Sequence, residues 1–415
     1  MPLYRDDFRR LGVVQWHPGS LHRANHRGVL KMRRTVHPSE HGFTLTELLV
    51  ALVIGTLLAT AVFAFFLNSS QIITNQSTTT DMWQRGRNAL ALMRQAVESA
   101  GFGLPQASNC PNGIAAYIAN QSTTSPFSMT AITASVQSGS AYDPTTLSQI
   151  NTYSLMTVTG GASFGNAPAA QISSIPSLSS QRVFLTTTAF INSGDLFIVQ
   201  IPGQACLMAQ ATNVLPNGNG LGIVHNSGLS NYNPSGGFQT LANSIYPGLS
   251  STAFAGANLI DLGSNNFTIN QFTIGDNGGT ATPTLYLTQY TANQSAGTAP
   301  GRQALARGVV DLQLEYGLGS NGAITQWVLP KKYTASVTQQ ILAVRIAMLV
   351  RSTRYMPNET SPASFAMPTP TGQIPQSYSV PQSNGPGCLQ GDCRHYAYHL
   401  FESVVPVRNS IWSGP

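Results

Sequence analysis

The sequence predicts an α+β protein, in which a long N-terminal helix spans a membrane and then continues as an amphipathic helix packed on an antiparallel, β-rich globular body. Three observations support this prediction. An apolar run of 20 residues, Leu48–Leu67, contains no charged residue. Apolar residues then recur every three or four positions up to residue 100, which is the period of a helix with one buried face. From residue 104 onward, short strand-like runs alternate with turn residues.

The apolar run is long enough to cross the hydrocarbon core of a membrane, which takes ~20 helical residues. The basic residues precede it. Residues 1–42 hold eight Lys or Arg against three Asp or Glu, so +5 of the net charge of +6 belongs to this segment and +1 to the rest. The positive-inside rule therefore predicts a cytoplasmic N-terminus and an exported body. The body's net charge does not favour nucleic acid as a partner, without excluding it.

Three kinds of N-terminal segment would explain the apolar run. A secretory signal peptide has a shorter apolar core and a small-residue cleavage site behind it, and no convincing site of this kind follows Leu67. A plain signal anchor explains the run, but neither Glu47 at its entrance nor the Gly42–Phe43 junction five residues before that acid. The third kind is a leader cleaved before the run, which leaves the helix on the mature protein.

The segment HGFTLTELLVALVIG, residues 41–55, resembles the class III signal of type IV prepilins, with its Gly, aromatic residue and Glu ahead of an apolar helix. The resemblance implies cleavage after Gly42 by a prepilin peptidase and N-methylation of Phe43. A leader of 42 residues is long for this class, and Met32 would begin a compact one. Both start positions, Met1 and Met32, stay open.

Glu47 calls for a partner, because carboxylates in membrane helices are costly and are usually paired. Cleavage would create an α-amino group at Phe43. A helix rises ~1.5 Å per residue, so a subunit shifted along the axis can place its amine near the Glu47 of a neighbour. Two buried opposite charges are tolerated together and costly apart. In the simpler alternative, Glu47 only reaches the lipid headgroups.

Residues 68–103 are predicted to extend the transmembrane and assembly helix of residues 43–67. The segment Gln76–Asp81 (QSTTTD) is a weak helix former because of its β-branched threonines, and we expect it to loosen the helix or, through Asp81, to cap a new one. An apolar stripe beyond it predicts packing on a sheet rather than a coiled coil. The stripe consists of Trp83, Gly86, Leu90, Met93, Val97 and Ala100.

The body, residues 104–415, is predicted to be rich in strands. The run DLQLEYG, which ends at Gly317, alternates apolar and polar residues as a half-buried strand does. The turn sequence GDNGG before Thr284 predicts a hairpin. The clearest strand-like runs are Tyr153–Val158, Leu196–Ile201, Thr284–Tyr290, Val309–Gly317 and Ile341–Ser352.

Three stretches of the body are predicted to lack regular strands. Residues 120–152 and 160–182 are rich in Ser, Thr, Asn and Gly and are typical of loops. Residues 356–387 contain seven prolines and predict a long irregular loop.

All four cysteines follow the apolar run, and an even number in an exported body favours two disulfides. Three pairings are possible. The short spacing between Cys388 and Cys393 favours one bond between them and a second bond between Cys110 and Cys206.

The C-terminal cysteines also belong to a C-x4-C-x-H-x3-H pattern with His395 and His399. Such a set of ligands can bind zinc. The spacing differs from that of a zinc finger, however, and export favours oxidation of the cysteines. We therefore predict a disulfide-closed turn that enters a last strand, with the two histidines on one face of that strand, and neither a metal nor another cofactor.

Several runs in the body resemble PilW-type minor pilins in the same order along the chain. They are RNALALMRQAVESAGFG, SGDLFIVQ, LARGVVDLQLEYG, AVRIAMLVRS and YHLFESVVPVRN. The resemblance implies a pilin-like fold and a minor subunit that helps to start or support a type IV pilus. The implied partners are the prepilin peptidase, the other minor pilins and the major pilin. The implied location is the inner membrane, crossed once with a periplasmic body, and then the fibre. Functional residues of the family correspond only at Gly42, Phe43 and Glu47.

Other functions stay open at this stage. A pseudopilin of a type II secretion system has the same N-terminal signal. A subunit at the pilus tip that binds a surface or DNA would use the disulfide-bearing, Pro-rich body. An enzyme is not predicted, because the sequence has no phosphate-binding loop, nucleophile elbow or HExxH motif.

Overall fold

The structure is a computed structural model that describes the residues in the following ranges. These are residues 44–105, 109–119, 126–137, 152–160, 170–186, 191–217, 220–265, 267–276, 282–295, 297–320, 322–333, 340–373, 376–382 and 392–409. Over these ranges the fold is α+β, as predicted: one 55-residue helix precedes 20 strands that form four sheets. The described residues fall into two compact units that divide between Leu67 and Asn68.

Helix α1 spans Leu45–Ser99 without a break. It continues through the Thr-rich segment, so the expected loosening or new helix start at Asp81 was wrong. The hydroxyl groups of Thr78 and Thr80 donate to backbone carbonyls one turn earlier in the helix, at 2.8 Å each. These bonds satisfy the threonine side chains within the helix, so their β-branching does not interrupt it.

The largest sheet is built from the first part of the body. Its nine strands are β1 (Ile114–Ala116), β2 (Phe127–Met129), β5 (Ala170–Ser174), β6 (Arg182–Leu185), β7 (Leu196–Ile201), β8 (Ala205–Gln210), β9 (Asn213–Asn217), β10 (Gly220–Val224) and β11 (Asn258–Gly263). They lie in the order β2-β1-β8-β7-β11-β5-β6-β10-β9, and all neighbours are antiparallel except β1 and β8. A short helix, α2 (Phe238–Ile245), packs on one face and buries Phe238 and Leu241.

A five-stranded antiparallel sheet packs against the other face of this large sheet. Its strands are β3 (Ile132–Val136), β4 (Tyr153–Thr159), β12 (Thr268–Asp276), β13 (Pro283–Thr291) and β14 (Arg302–Arg307), in the order β14-β13-β12-β4-β3. Strands β12 and β13 form the hairpin predicted from GDNGG. The apolar core between the two sheets includes Val158 and Ile269 on one side and Ile198 and Ile260 on the other.

The third sheet has four strands and is made entirely from the C-terminal part of the chain. It contains β15 (Val309–Ser320), β16 (Ala323–Val328), β17 (Gln340–Arg351) and β20 (Tyr398–Pro406), in the order β16-β15-β17-β20. One face packs in a shared core with α1 and the five-stranded sheet. The other face is covered in part by a two-stranded hairpin, β18 (Ser364–Met367) and β19 (Gln376–Ser379).

The structure corrects three expectations about the body. The Pro-rich stretch is not wholly irregular, since β18 and β19 lie within it. The Ser/Thr-rich stretches predicted as loops contain β2, β3 and β5. Strand β15 is buried on both faces rather than one, because α1 and the hairpin cover opposite sides of its sheet. The alternation of polar and apolar residues in β15 therefore did not indicate which of its side chains are exposed.

Candidate assembly site

Glu47, the acid at the entrance to the apolar run, takes part in the N-terminal cap of α1. Its Oε2 accepts a hydrogen bond from the backbone N–H of Thr44 and another from the Thr44 hydroxyl, each at 3.0 Å. In return, the Glu47 N–H donates to the Thr44 hydroxyl at 3.3 Å. This reciprocal pattern is a capping box of the type Thr-x-x-Glu. The sequence already contained this signal, but the capping role was missed.

The residues predicted for processing lie immediately before this cap. Gly42 and Phe43 fall outside the described residues, so their roles stay predictions. Beyond the cap, the first part of α1 is apolar and long enough to cross a membrane. Its side chains are exposed, with large apolar residues such as Phe65 at 75% exposure. Such a surface is unfavourable in water and suits lipid or the helices of other subunits.

The last third of α1 packs on the body through small and flexible apolar residues. Its buried residues are Met82, Gly86, Ala89, Met93, Ala96 and Val97. The predicted stripe is confirmed in most positions, although Trp83 and Leu90 are only partly buried. At Gly86 a Cβ atom would overlap the ring of Phe401 on β20. Glycine therefore permits the closest approach between this helix and the four-stranded sheet.

The C-terminal residues of the described chain hold the end of α1. The Asn409 side-chain amide donates to the carbonyl oxygens of Ser99 and Ala100, at 3.4 and 2.9 Å. Arg408 forms an ion pair with Glu98 at 3.0 Å. The last carbonyls of a helix have no partner within the helix itself, and Asn409 supplies donors to two carbonyls at this end, beside the Phe102 N–H and the Thr159 hydroxyl that also donate to Ser99. Arg408 and Asn409, the last two residues of the run YHLFESVVPVRN, thus have a structural role that the sequence alone did not reveal.

An aromatic cluster lies beside this docking surface. The rings of Trp83 and His399 stack with centroids 3.6 Å apart, and Phe401 contacts both edge-on. Burial, followed by the nearby Arg87 guanidinium, lowers the pKa of His399 below its usual value. Trp83 and Arg87 also line an open cleft of about 740 Å³ with Glu359 and polar residues of α1.

The two C-terminal histidines do not share a strand face, contrary to the prediction. His395 lies in a short 3-10 helix, Cys393–His395, and its Nδ1 bonds to the Glu359 carbonyl at 2.6 Å. His399 lies on β20 and stacks on Trp83. The chain turns between them, so the four-residue spacing does not bring the rings together. Within the described ranges, no group of three or more His, Cys, Asp or Glu residues is placed to bind a metal.

Comparison with known families finds two similarities. Residues 271–409 match the model of the type IV pilus-assembly protein W, and residues 37–63 match the prokaryotic N-terminal methylation motif. Over these residues the chain is similar to PilW-type prepilins. Neither a curated protein nor a solved structure matches it. The PilW match covers β13 to β20 and most of β12, which includes the whole sheet on which α1 docks. The nine-stranded sheet lies outside both matches.

The chain has a disulfide outside the region that matches PilW. Cys110 and Cys206 are bonded, as predicted, with Cα atoms 5.3 Å apart. The bond joins the segment after α1 to strand β8 and closes a loop across 96 positions of sequence. Cys388 lies outside the described residues, so the second predicted bond, Cys388–Cys393, stays a prediction.

Buried acids in the PilW region are a feature that the sequence did not indicate. Asp311 and Glu315 on β15 are 1% and 2% exposed. Burial raises the pKa of Asp311 to about 6, while two bonds from the Gln313 amide oppose this rise. Burial also raises the pKa of Glu315, and the Arg345 guanidinium 2.7 Å away opposes that shift. Arg345 also stacks on Trp327 of β16, with its Cζ 4.5 Å from the ring centroid.

Proposed function

We propose that this PilW-type chain is a minor pilin that helps to start or support assembly of a type IV pilus. A prepilin peptidase cleaves it after Gly42 and methylates the new N-terminus at Phe43. The mature helix then crosses the inner membrane once, with the body in the periplasm, until the subunit enters the fibre. Its partners are the other minor pilins and the major pilin, and its role is structural rather than enzymatic.

One observation supports this proposal most directly. The helix that begins within the methylation motif is the same helix that packs, 40 residues later, on the PilW-type sheet. A secretory signal is cut off behind its apolar core, whereas this helix runs without a break from the apolar segment to the residues that pack in the core of the body. This continuity supports a mature protein that keeps the apolar segment. An exposed apolar helix fixed to a folded body suits a subunit that leaves the membrane and enters a helical bundle.

The N-terminus of the purified protein tests the processing step. Intact mass and N-terminal peptide mapping should give a chain that begins with N-methyl-Phe43. Gly42→Val should leave the precursor uncut, because a branched side chain obstructs the peptidase site. A retained leader in the unsubstituted protein, or a cut after Leu67, would contradict the proposal.

A deletion strain tests the role in the pilus. Loss of this chain should reduce the number of surface pili, and the unsubstituted gene should restore them whereas Gly42→Val should not. A pseudopilin of a type II secretion system predicts a different outcome: normal pili and a loss of protein secretion. Counting pili and measuring secreted proteins in the same strains therefore separates the two functions.

A second candidate function is display of a binding domain at the pilus tip. The nine-stranded sheet favours it, because this sheet has its own core with α2 and lies outside the PilW-type region. Deleting the chain would then reduce attachment to surfaces more than it reduces the number of pili. Equal losses of attachment and pili would favour assembly alone.

A further inference from the structure

Among the described residues, strand β16 is a sheet edge that pairs with a strand on one side only and lacks the usual protection against further pairing. It lies at the end of the four-stranded sheet, and β15 is the one strand that pairs with it within the described part of the chain. Residues Ala323 to Gln326 are exposed, and Ile324 is 40% exposed. The strand sequence AITQWV contains no charged residue and no proline. Exposed edges of this kind act as templates for another strand unless the protein blocks them.

The other edges of the three larger described sheets each have a protective feature. Strand β2 has only three residues, and β9 contains a proline at Pro216. Strand β14 carries an arginine at each end, and β20 carries Glu402 and ends at a proline. On β3, the backbone N–H of Ala134 donates a hydrogen bond to the Tyr316 hydroxyl at 2.6 Å and is therefore not available to another strand. Strand β16 has none of these protective features, so an unprotected edge is specific to this strand and is not a general property of the fold.

The side chains of β16 are also held in a fixed position. A bulge between Leu318 and Gly319 shifts the register of β16 against β15. As a result Ile324 and Trp327 both lie over Gly317, where a Cβ would approach each of them to 3.1 Å. Arg345 stacks on Trp327 and is itself held by Glu315. These contacts hold the side chains of Ile324 and Trp327 in place, which would reduce the entropy lost on pairing.

We propose that β16 receives an extended strand from another pilin subunit, uncharged except at its N-terminal end, which adds a fifth strand to the sheet. This inference deepens the proposed minor-pilin function and rests on it. Main-chain hydrogen bonds would supply affinity, as in other cases of strand addition. Two exposed lysines, Lys331 and Lys332, follow β16 after Leu329 and Pro330, and the Lys332 ammonium group donates to Oε1 of Gln373. In an antiparallel pair, the partner strand would begin beside these lysines, so we expect an Asp or Glu at its N-terminal end.

The same charges argue against a second copy of this chain as the occupant. If two β16 strands paired in antiparallel fashion, each pair of lysines would face the start of the other strand. That start follows Ser320, Asn321 and Gly322, none of which is acidic. A partner with an acidic residue at this point complements the lysines better.

Site-specific photocrosslinking in the full-length chain tests the proposal. A benzophenone amino acid at Ala323 should give a crosslink to another pilin in cells that express the complete pilus system. The matched control is Ala304, an exposed alanine on the edge strand β14, which Arg302 and Arg307 protect. Mass spectrometry should identify an extended segment with an acid at its N-terminal end. No product above the Ala304 level, or a product with a second copy of this chain alone, would overturn the proposal.

A charge substitution provides the second measurement. Ala323→Lys should reduce the amount of co-purified partner pilin by about tenfold or more, which corresponds to ~1.4 kcal/mol in binding. Ala304→Lys makes the same change on a protected edge and should leave co-purification unchanged. Equal thermal unfolding of the two variants in detergent would show that folding is not responsible for the difference. If Ala323→Lys retains its partners while deletion of the chain still removes pili, strand addition is wrong and the proposed function stands.

Discussion

The contact between Gly86 and Phe401 determines how closely α1 approaches the sheet, and Gly86→Ala tests this contact. A Cβ at this position would overlap three ring atoms of Phe401. Phe401 is 6% exposed and also packs against Trp83, so its ring has little room to move. Overpacking of this kind costs ~1–3 kcal/mol. Alanine also favours the helix over glycine by ~1 kcal/mol, which offsets part of that cost.

We therefore expect Gly86→Ala to lower the free energy of unfolding by up to about 2 kcal/mol, although alanine is the better helix former. Chemical denaturation of the full chain in detergent, followed by circular dichroism of the body, measures this change. Gly55→Ala is the matched control, because no atom lies within 4 Å of a Cβ at that position. It should cause no loss of stability in the body.

A double substitution tests the steric explanation itself. Phe401→Leu removes part of the ring and should destabilise the protein on its own. Combined with Gly86→Ala, the new methyl group occupies the vacated space, so the pair should lose less stability than the sum of the two single changes. A coupling energy of ~0.5–3 kcal/mol is usual for residues in contact. Additive effects, or a more stable Gly86→Ala variant, would refute the close-contact argument.

Three further predictions concern single features of the body. Burial lowers the pKa of His225 from 6.5 to about 4. The free energy of unfolding should therefore have its full value above pH 6.5 and fall by up to ~3 kcal/mol as the pH drops toward 4. If His225→Leu loses stability over this pH range as steeply as the unsubstituted protein, the prediction is wrong. Cys110 and Cys206 close a loop across 96 positions, so Cys206→Ser should reduce stability by ~4–5 kcal/mol in the chain-entropy model, and an unchanged denaturation midpoint would count against it. Asn409→Ala should lower the free energy of unfolding by about 1 kcal/mol, because it removes the amide that donates to the carbonyls of Ser99 and Ala100 at the end of α1. Hydrogen exchange should then be faster in the last turn of α1, and an unchanged exchange rate there would count against the capping role.

Local sequence patterns predicted the elements that depend on local chemistry. The apolar run, the amphipathic stripe and the five clearest strands were identified from periodicity, and the Cys110–Cys206 bond from the even number of cysteines. The boundaries of the strand Leu196–Ile201 agree with the structure at both ends. These features follow from residue order over short distances, where backbone preferences and burial act together.

The features that were missed depend on contacts between distant parts of the chain. Strand β15 has the alternation of a half-buried strand, yet its polar residues are buried as well. The hairpin β18–β19, from a later part of the chain, shares an apolar cluster with Val310, and Arg345 of β17 pairs with Glu315. The pairing of Asn409 with the end of α1 joins positions 310 residues apart. The capping box at Thr44 and Glu47 is different, since its spacing was visible in the sequence.

The capping box also makes the charge of Glu47 separable from its hydrogen bonds. Glutamine can replace glutamate at helix position N3, the acid position of the Thr-x-x-Glu capping box, so Glu47→Gln should keep the start of the helix intact. It cannot form an ion pair with the α-amino group of a neighbouring subunit. Glu47→Ala loses both the cap and the charge. Neither change should affect folding of the body, because the described contacts of Glu47 are with Thr44.

Co-purification of the other pilins with full-length Glu47→Gln tests the central claim, that this helix joins the chain to other pilins through a charge at its entrance. The account predicts that Glu47→Gln and Glu47→Ala lose partner pilins to a similar extent, with membrane insertion and the Cys110–Cys206 bond unchanged. A minor subunit should show a partial rather than a complete loss. If Glu47→Gln retains its partners as the unsubstituted chain does while Glu47→Ala loses them, the acid acts only as a helix cap. In that case the charge-pair account is wrong.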